Sequence, residues 1–177
     1  NLWYPICHKR MLVITNTQPD MSVFRSSSHC KVLKSEFRYT DGSALEMYSH
    51  NNTIEDCYFY HIDYSVTDLN SLMTTIQMGG ANNIIRRNTM HKLGASATLN
   101  PGDASLITLN NISDTGHMQG DGAMVQVMTG QAPGTEISYN WLHSSVKYGA
   151  RFDGNGTGNN GIMHHYVMWG LENSGIM

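Results

Sequence analysis

The acidic side chains best suited to catalysis in this sequence lie in its second half. Asp121 is followed thirty residues later by Arg151 and then by Asp153. Pairs of carboxyl groups about 5 to 9.5 Å apart cleave glycosidic bonds, one serving as acid and the other as base or nucleophile. Asp121 and Asp153 are therefore candidates for glycoside hydrolysis, provided that the fold brings them together.

Basic and aromatic residues of the same stretch suit a second reaction, β-elimination from a uronic acid. Lys147 or Arg151 would neutralise the substrate carboxylate or remove the C5 proton, while His143 or Tyr148 would protonate the leaving oxygen. Asp121, Lys147, Arg151, Asp153 and His143 are thus the candidate catalytic residues of the two reactions.

Simpler roles are open for the same side chains. Asp121 and Asp153 each precede a glycine, which is typical of turns. Arg151 and Asp153 would also suit a structural ion pair on a sheet surface.

An internal repeat predicts which elements position these residues. A six-residue phrase has an aliphatic residue at its start, then Asn, Ser, Cys or His three positions later, and an apolar residue at its end. It begins at Val32, Ile54, Ile85, Ile107, Ile137 and Ile162. Steps of 22, 31, 22, 30 and 25 residues favour coils of three short parallel strands, because extra residues can bulge outward as loops. We expect the aliphatic residues to stack in one interior file, one per coil.

The polar residue within the phrase is expected at a bend between two strands. There the amides of Asn88, Asn110 and Asn140 can bond the backbone or the same residue in the next coil.

A second strand is predicted in the later half of each coil. Its apolar residues, predicted to stack inward, are Leu45, Ile76, Leu99, Val125 and Phe152. Side chains alternate across a strand, so the next residues should form one outward column. That column is Glu46, Gln77, Asn100, Gln126 and Asp153. Its first four members, with His117 and Tyr148, are candidate substrate-binding residues, although a solvated sheet face would look the same.

These phrases and the segments 134–143, 147–153 and 164–169 resemble the right-handed parallel β-helix proteins of the pectin-lyase-like superfamily. The resemblance implies an all-β solenoid of about six to seven coils, cut from a longer one. Residues 1–29 would form a lead-in or first coil and residues 30–177 the remaining coils. It also implies an extracellular or cell-surface polysaccharide lyase or glycoside hydrolase, and Ca²⁺ as a possible cofactor.

A non-catalytic structural or adhesive module is the alternative function. An enzyme should bring Asp121, Arg151 and Asp153 together in an open groove with at least one strongly shifted pKa. In a structural module these groups would be scattered or paired as salt bridges. Partner chains or further sequence would then cover the exposed strand edges at the ends of the solenoid.

Composition narrows the range of partners. The net charge is −3, and 11 Lys and Arg residues are spread singly, so no basic stripe for nucleic acid or anionic lipid is expected. No apolar run approaches the roughly 18 residues of a membrane span. No closely spaced acidic cluster or cysteine pair predicts a metal site.

Three other sets of residues carry expectations of their own. Sequons at Asn51, Asn111 and Asn155 are glycosylation candidates, compatible with secretion. Cys7, Cys30 and Cys57 are expected as small buried apolar residues, with one disulfide possible. The tryptophans Trp3, Trp141 and Trp169 could stack on sugar rings if they were exposed. Trp141 and Trp169 lie within or beside the repeated phrases, so partial burial is expected for these two.

Overall fold

The computed structural model describes residues 28–40, 42–64, 73–154 and 159–177, together with the backbone of residues 23–25. Cys7, Trp3, Asn155 and most of the predicted lead-in 1–29 lie outside the described residues.

The described residues form short strands joined by bends and loops. In chain order these are β1 (Val23–Arg25), β2 (Lys31–Leu33), β3 (Glu36–Thr40), β4 (Leu45–Tyr48), β5 (Thr53–Glu55), β6 (Tyr58–Ile62), β7 (Thr74–Gly79), β8 (Ile84–Arg86), β9 (Thr89–Leu93), β10 (Ala97–Asn100), β11 (Leu106–Thr108), β12 (Asn111–Thr115), β13 (Ala123–Val127), β14 (Glu136–Ser138), β15 (Trp141–Ser145), β16 (Tyr148–Phe152), β17 (Ile162–His164) and β18 (Val167–Leu171).

Every strand pairs in parallel with its counterpart one coil away, which produces three six-stranded sheets. Sheet A holds β1, β4, β7, β10, β13 and β16; sheet B holds β2, β5, β8, β11, β14 and β17; sheet C holds β3, β6, β9, β12, β15 and β18. The predicted all-β parallel solenoid is confirmed. The described residues contain five complete coils, β2–β4 to β14–β16, with part of a coil on either side, which is roughly consistent with the predicted six to seven.

The interior file of sheet B follows the repeat except in its last coil. Val32, Ile54, Ile85, Ile107 and Ile137 pair in succession, as predicted. The next member is Met163, whereas Ile162 pairs with Glu136 and is 55% exposed. The prediction for Ile162 is therefore wrong by one residue. In the sequence the phrase favours Ile162, because His165 stands three positions later, but in the structure Tyr166 takes that position of the bend and Met163 turns inward. A one-residue shift of this kind reverses the face of every side chain.

The asparagines of the phrase form the expected ladder. The Asn110 side chain donates to the Ile85 carbonyl at 3.0 Å, and its oxygen accepts from the Asn88 backbone at 3.0 Å. Asn140 repeats this pattern one coil on, donating to the Ile107 carbonyl at 3.0 Å and accepting from the Asn110 backbone at 2.9 Å. Buried amides thus satisfy the backbone groups that the bend leaves without strand partners.

Sheet A contains the predicted apolar file in four coils. Leu45, Ile76, Leu99 and Val125 lie in register and are buried. In the fifth coil Val125 pairs with Ala150, and Phe152 pairs with Val127 two positions further along. Phe152 and Asp153 were predicted to align with Val125 and Gln126, and that alignment is wrong by two residues. A shift of two residues keeps each side chain on its face of the sheet but moves it along the strand.

Two cysteines lie within the described residues, and both are free thiols. Cys57 is buried, as expected, and burial raises the pKa of its thiol. Cys30 is half-buried against the core. The described part of the chain contains no helix with the length and apolarity that a membrane crossing requires.

Candidate functional site

Asp121, Arg151 and Asp153 converge on the outer side of sheet A. Arg151 lies on β16; Asp121 lies in the loop before β13, one coil earlier. One terminal nitrogen of the Arg151 guanidinium donates to Asp121 Oδ1 at 2.8 Å, and the other donates to Asp153 Oδ1 at 2.7 Å. We call these three residues the ionic cluster. Their convergence was expected of an enzyme, whereas their pairing in salt bridges was expected of a structural module.

The glycine that follows Asp121 sets the position of its carboxylate. Gly122 has φ +99, and a Cβ there would lie 2.3 Å from the Ser96 carbonyl oxygen, so a larger residue would not fit. Its N–H donates to Asp121 Oδ1 at 2.7 Å. This bond and the Arg151 guanidinium lower the pKa of Asp121, whose side chain is 77% exposed. Asp121 thus forms part of a turn and also belongs to the ionic cluster.

The Lys147 side chain lies beneath the loop that carries Asp121 and binds its backbone. Its side chain, only 1% exposed, passes Gly116, where a Cβ would lie 2.2 Å from Lys147 Cε. The ammonium donates to the carbonyl oxygens of Gln119 and Asp121, the latter at 2.5 Å. Burial lowers the pKa of Lys147 to about 8. Because its amine points to loop carbonyls, Lys147 positions Asp121 and does not face a ligand on the outer surface.

The predicted column of polar residues is in register but largely covered. Glu46 pairs with Gln77 and Gln77 with Asn100, while Gln126 pairs with Arg151, which takes the place predicted for Asp153. Glu46, Asn100 and Gln126 are all buried. The column is therefore not an open groove along its whole length, because neighbouring groups cover its middle and one end.

Two buried polar atoms beside the ionic cluster lack a protein partner. The Gln126 side chain, 1% exposed, donates from Nε2 to Asp153 Oδ2 at 2.9 Å, but its Oε1 accepts no hydrogen bond. Arg151 Nε is likewise buried and unpaired. Unpaired buried polar atoms are costly, and they are common where a ligand supplies the missing bond.

The other predicted site residues divide between two faces. Tyr148 stays with the ionic cluster, with its ring centre 5.9 Å from Arg151 Cζ. His117 instead pairs with Asp114 on sheet C, at 2.6 Å. His143 also lies on sheet C, because β15 precedes the corner that leads to β16. The predictions that placed His117 and His143 beside Asp121 are thus not supported by their positions.

No calcium site is evident around the ionic cluster. Within the described ranges, no three His, Cys, Asp or Glu side chains are arranged to share a metal ion. Asp121 and Asp153 both face the Arg151 guanidinium, a cation that already balances part of their charge. Calcium therefore stays an implication of resemblance, and we derive no step through it.

The outer face of sheet C exposes Trp141 and Trp169, so the expectation that both would be partly buried is wrong. The sequence analysis also did not predict that further aromatic rings share this face. Rings from four coils line this face in two adjacent columns, and we call them the aromatic strip: Tyr58, Tyr60, His91, Trp141, His143 and Trp169. They flank the inward apolar residues of the phrase, such as Phe59 and Leu142, so strand alternation was the signal that could have found them.

The glycosylation candidates differ in access. Asn51 is exposed in a bend with φ +60. Asn111 is half-buried on β12, where its Oδ1 accepts from His143 Nε2 at 3.0 Å. A glycan on Asn111 would disrupt this bond and cover the aromatic strip, so Asn51 is the better acceptor by geometry.

Comparison with known proteins agrees with the coil architecture. A family model described as right handed beta helix region matches residues 15–176. No curated protein and no solved structure matches the chain. The family match covers nearly the whole sequence, and the strands repeat in parallel register through six positions in each sheet. The chain therefore belongs to the right-handed β-helix family.

Proposed function

We propose that this chain is a carbohydrate-active β-helix module that binds a polysaccharide over the ionic cluster of sheet A and cleaves it by hydrolysis. An extracellular or cell-surface location belongs to the same proposal. The observation that carries it is the placement of Asp121 and Asp153 on either side of Arg151, beside the unpaired Gln126 Oε1 and Arg151 Nε.

The carboxylate geometry supports hydrolysis. Oxygens bonded to the two terminal nitrogens of one guanidinium must lie closer together than the upper limit of about 9.5 Å for paired glycosidase carboxylates. The lowered pKa of Asp121 suits a base or nucleophile, since the carboxylate must be ionised for either role. The acid role would then fall to Asp153, which must first take up a proton. It must also give up its contact with Arg151 or Gln126, because both of its oxygens accept hydrogen bonds from them.

The same geometry is less suited to β-elimination. Both terminal nitrogens of Arg151 are already bonded to carboxylates, and the Lys147 amine is bonded to backbone carbonyls. Asp121 and Asp153 already bind the Arg151 guanidinium, so the ionic cluster offers no unoccupied cation to a uronate carboxylate. A neutral sugar, whose hydroxyls can bond both carboxylates, fits this surface better.

Hydrolysis can be tested by incubating the chain with neutral and acidic polysaccharides and measuring reducing ends and unsaturated ends separately. We expect reducing ends from a neutral polymer, and a loss of at least about 10²-fold in rate in Asp121→Asn and Asp153→Asn. Asp103→Asn, at an exposed carboxylate outside the ionic cluster, is the matched control. Unsaturated products would show a lyase instead.

A non-catalytic adhesive or structural module is the second candidate. It is favoured by the salt bridges that close the ionic cluster and by the burial of the neighbouring column. Absence of any product with every polysaccharide, at high protein concentration, would favour this candidate over the hydrolase.

A further inference from the structure

The aromatic strip follows the solenoid axis on a sheet that does not carry the ionic cluster. Tyr60, His91, Ser113, His143 and Trp169 pair in succession from β6 to β18. Neighbouring coils lie about 4.8 Å apart, so four steps make the strip about 19 Å long.

Trp141 is accessible although strands flank it on both sides, and Trp169 is accessible on the edge strand β18. Trp141 is flanked in register by Asn111 on one side and Val167 on the other, yet it is 55% exposed. Trp169 is 46% exposed. Large aromatic side chains are normally buried, so their exposure in line on one face indicates a surface for contact.

The rings of the strip are held by contacts with one another. The His143 ring lies 4.0 Å from that of Trp169, with 5° between their planes. Tyr58 and Tyr60 are stacked with centroids 6.0 Å apart, and Tyr60 and His91 lie at the same distance. Ligand binding to these faces would therefore restrict the side chains of the strip only a little further.

Charge on this face is balanced. The cations of Arg38 and Lys92 lie 5.6 and 5.7 Å from the centre of the Tyr60 ring. Glu36 pairs with Arg38, and Asp114 lies beside His91 and His117. A face without net charge gives no advantage to a polyanion, and one interrupted by Thr89, Asn111 and Ser113 is too polar for a continuous apolar contact.

We propose that the aromatic strip binds a linear neutral polysaccharide laid along the solenoid axis. A sugar ring offers an apolar C–H face that can pack on an aromatic ring, and hydroxyls that can bond side chains such as Asn111 and Ser113. A polymer of identical units matches a surface that repeats once per coil. This binding does not depend on the ionic cluster, so it would hold the polymer whether or not sheet A cleaves it.

The test measures the binding of the 177-residue chain to hydroxyethylcellulose, mixed-linkage β-glucan, galactomannan and polygalacturonate by affinity electrophoresis. We expect retardation by at least one neutral polymer and none by polygalacturonate. Combining Trp141→Ala with Trp169→Ala should weaken binding about tenfold or more. Trp141→Phe should retain most of it, because a flat ring remains.

Tyr139→Ala is the matched control, since the Tyr139 ring is similarly exposed but lies on the bend before β15, outside the strip. Circular dichroism should show the same β-sheet signal for every variant. Equal loss of binding in Tyr139→Ala, unchanged binding in the double Trp variant, or no retardation by any neutral polymer would overturn the inference. So would self-association of the native chain, seen by sedimentation, that the double Trp variant abolishes.

The two proposals can fail separately. If binding is lost in Arg151→Met but not in the double Trp variant, the polymer sits on sheet A and the strip proposal is wrong. If Trp-dependent binding persists without any hydrolysis, the strip proposal stands and the proposed function fails.

Discussion

Around the Asp121 loop, the structure assigns each charged side chain a different task according to its surroundings. Arg151 faces outward between two carboxylates, while Lys147 lies beneath the loop with its amine against two carbonyl oxygens. Both residues are cations four positions apart in the sequence. Lys147 is almost completely buried, and that burial lowers its pKa, whereas the Arg151 guanidinium is bonded to two carboxylates.

Burial of Lys147 predicts an alkaline dependence of stability. Its pKa falls from 10.5 to about 8 on folding, so the unfolded chain binds more protons between these values. The free energy of unfolding should therefore rise between about pH 8 and pH 10.5 through this group, and the penalty for burying the charged amine should be fully present below about pH 8.

The measurement is urea unfolding of the native chain and of Lys147→Met at several pH values. The stability difference between the two should shift in favour of the native chain as the pH rises through about 8. A difference that stays constant from pH 7 to pH 10 would contradict the lowered pKa.

Among the elements, the bend between sheets B and C repeats most faithfully. In each coil the residue before the ladder position has a positive φ, for example Leu109 at 59° and Tyr139 at 54°. This conformation turns the chain sharply without glycine, at some conformational cost. The ladder amides offset that cost, because they satisfy the backbone groups on both sides of the bend.

Removing one rung should therefore destabilise the solenoid. Asn110→Ala leaves the Ile85 carbonyl and the Asn88 N–H without their partners in the interior, and we expect a loss of about 2 to 4 kcal/mol. Asn110→Ser should lose less stability, because Ser35 occupies the equivalent position in another coil. Urea unfolding gives both values.

Asn159→Ala, at an exposed residue outside the ladder, serves as the control and should change stability by less than about 0.5 kcal/mol. A loss in Asn110→Ala no larger than that of the control would show that water replaces the ladder bonds.

At the scale of the whole molecule, successive coils are related by translation along one axis, and this relation decides which insertions the fold tolerates. Coils differ by up to nine residues in length, yet the strands stay in register, because the additional residues lie in loops between sheets. The bend before the ladder position has no such freedom, since its residues pair with the coils above and below.

Two insertions of Gly-Ser should separate these cases. After Gly130, whose Cβ position faces open space, the insertion should cost about 1 kcal/mol or less. Between Leu109 and Asn110 it would displace the Asn110 amide and should cost about 3 kcal/mol or more. Comparing the urea midpoints of the two variants checks this, and equal midpoints would mean that the bend is as tolerant as a loop.

What the sequence by itself determined is the repeat: the coil architecture, the interior file from Val32 to Ile137 and the asparagine ladder. Each follows from spacing along the chain, because parallel coils place residues one repeat apart side by side. Only the tertiary structure decided the register of Met163 and Ala150, the burial of the column from Glu46 to Gln126, and the sheet that carries His143. These depend on where each loop ends and what it covers: the pattern favoured Ile162, but the loop before β17 ends so that Met163 turns inward.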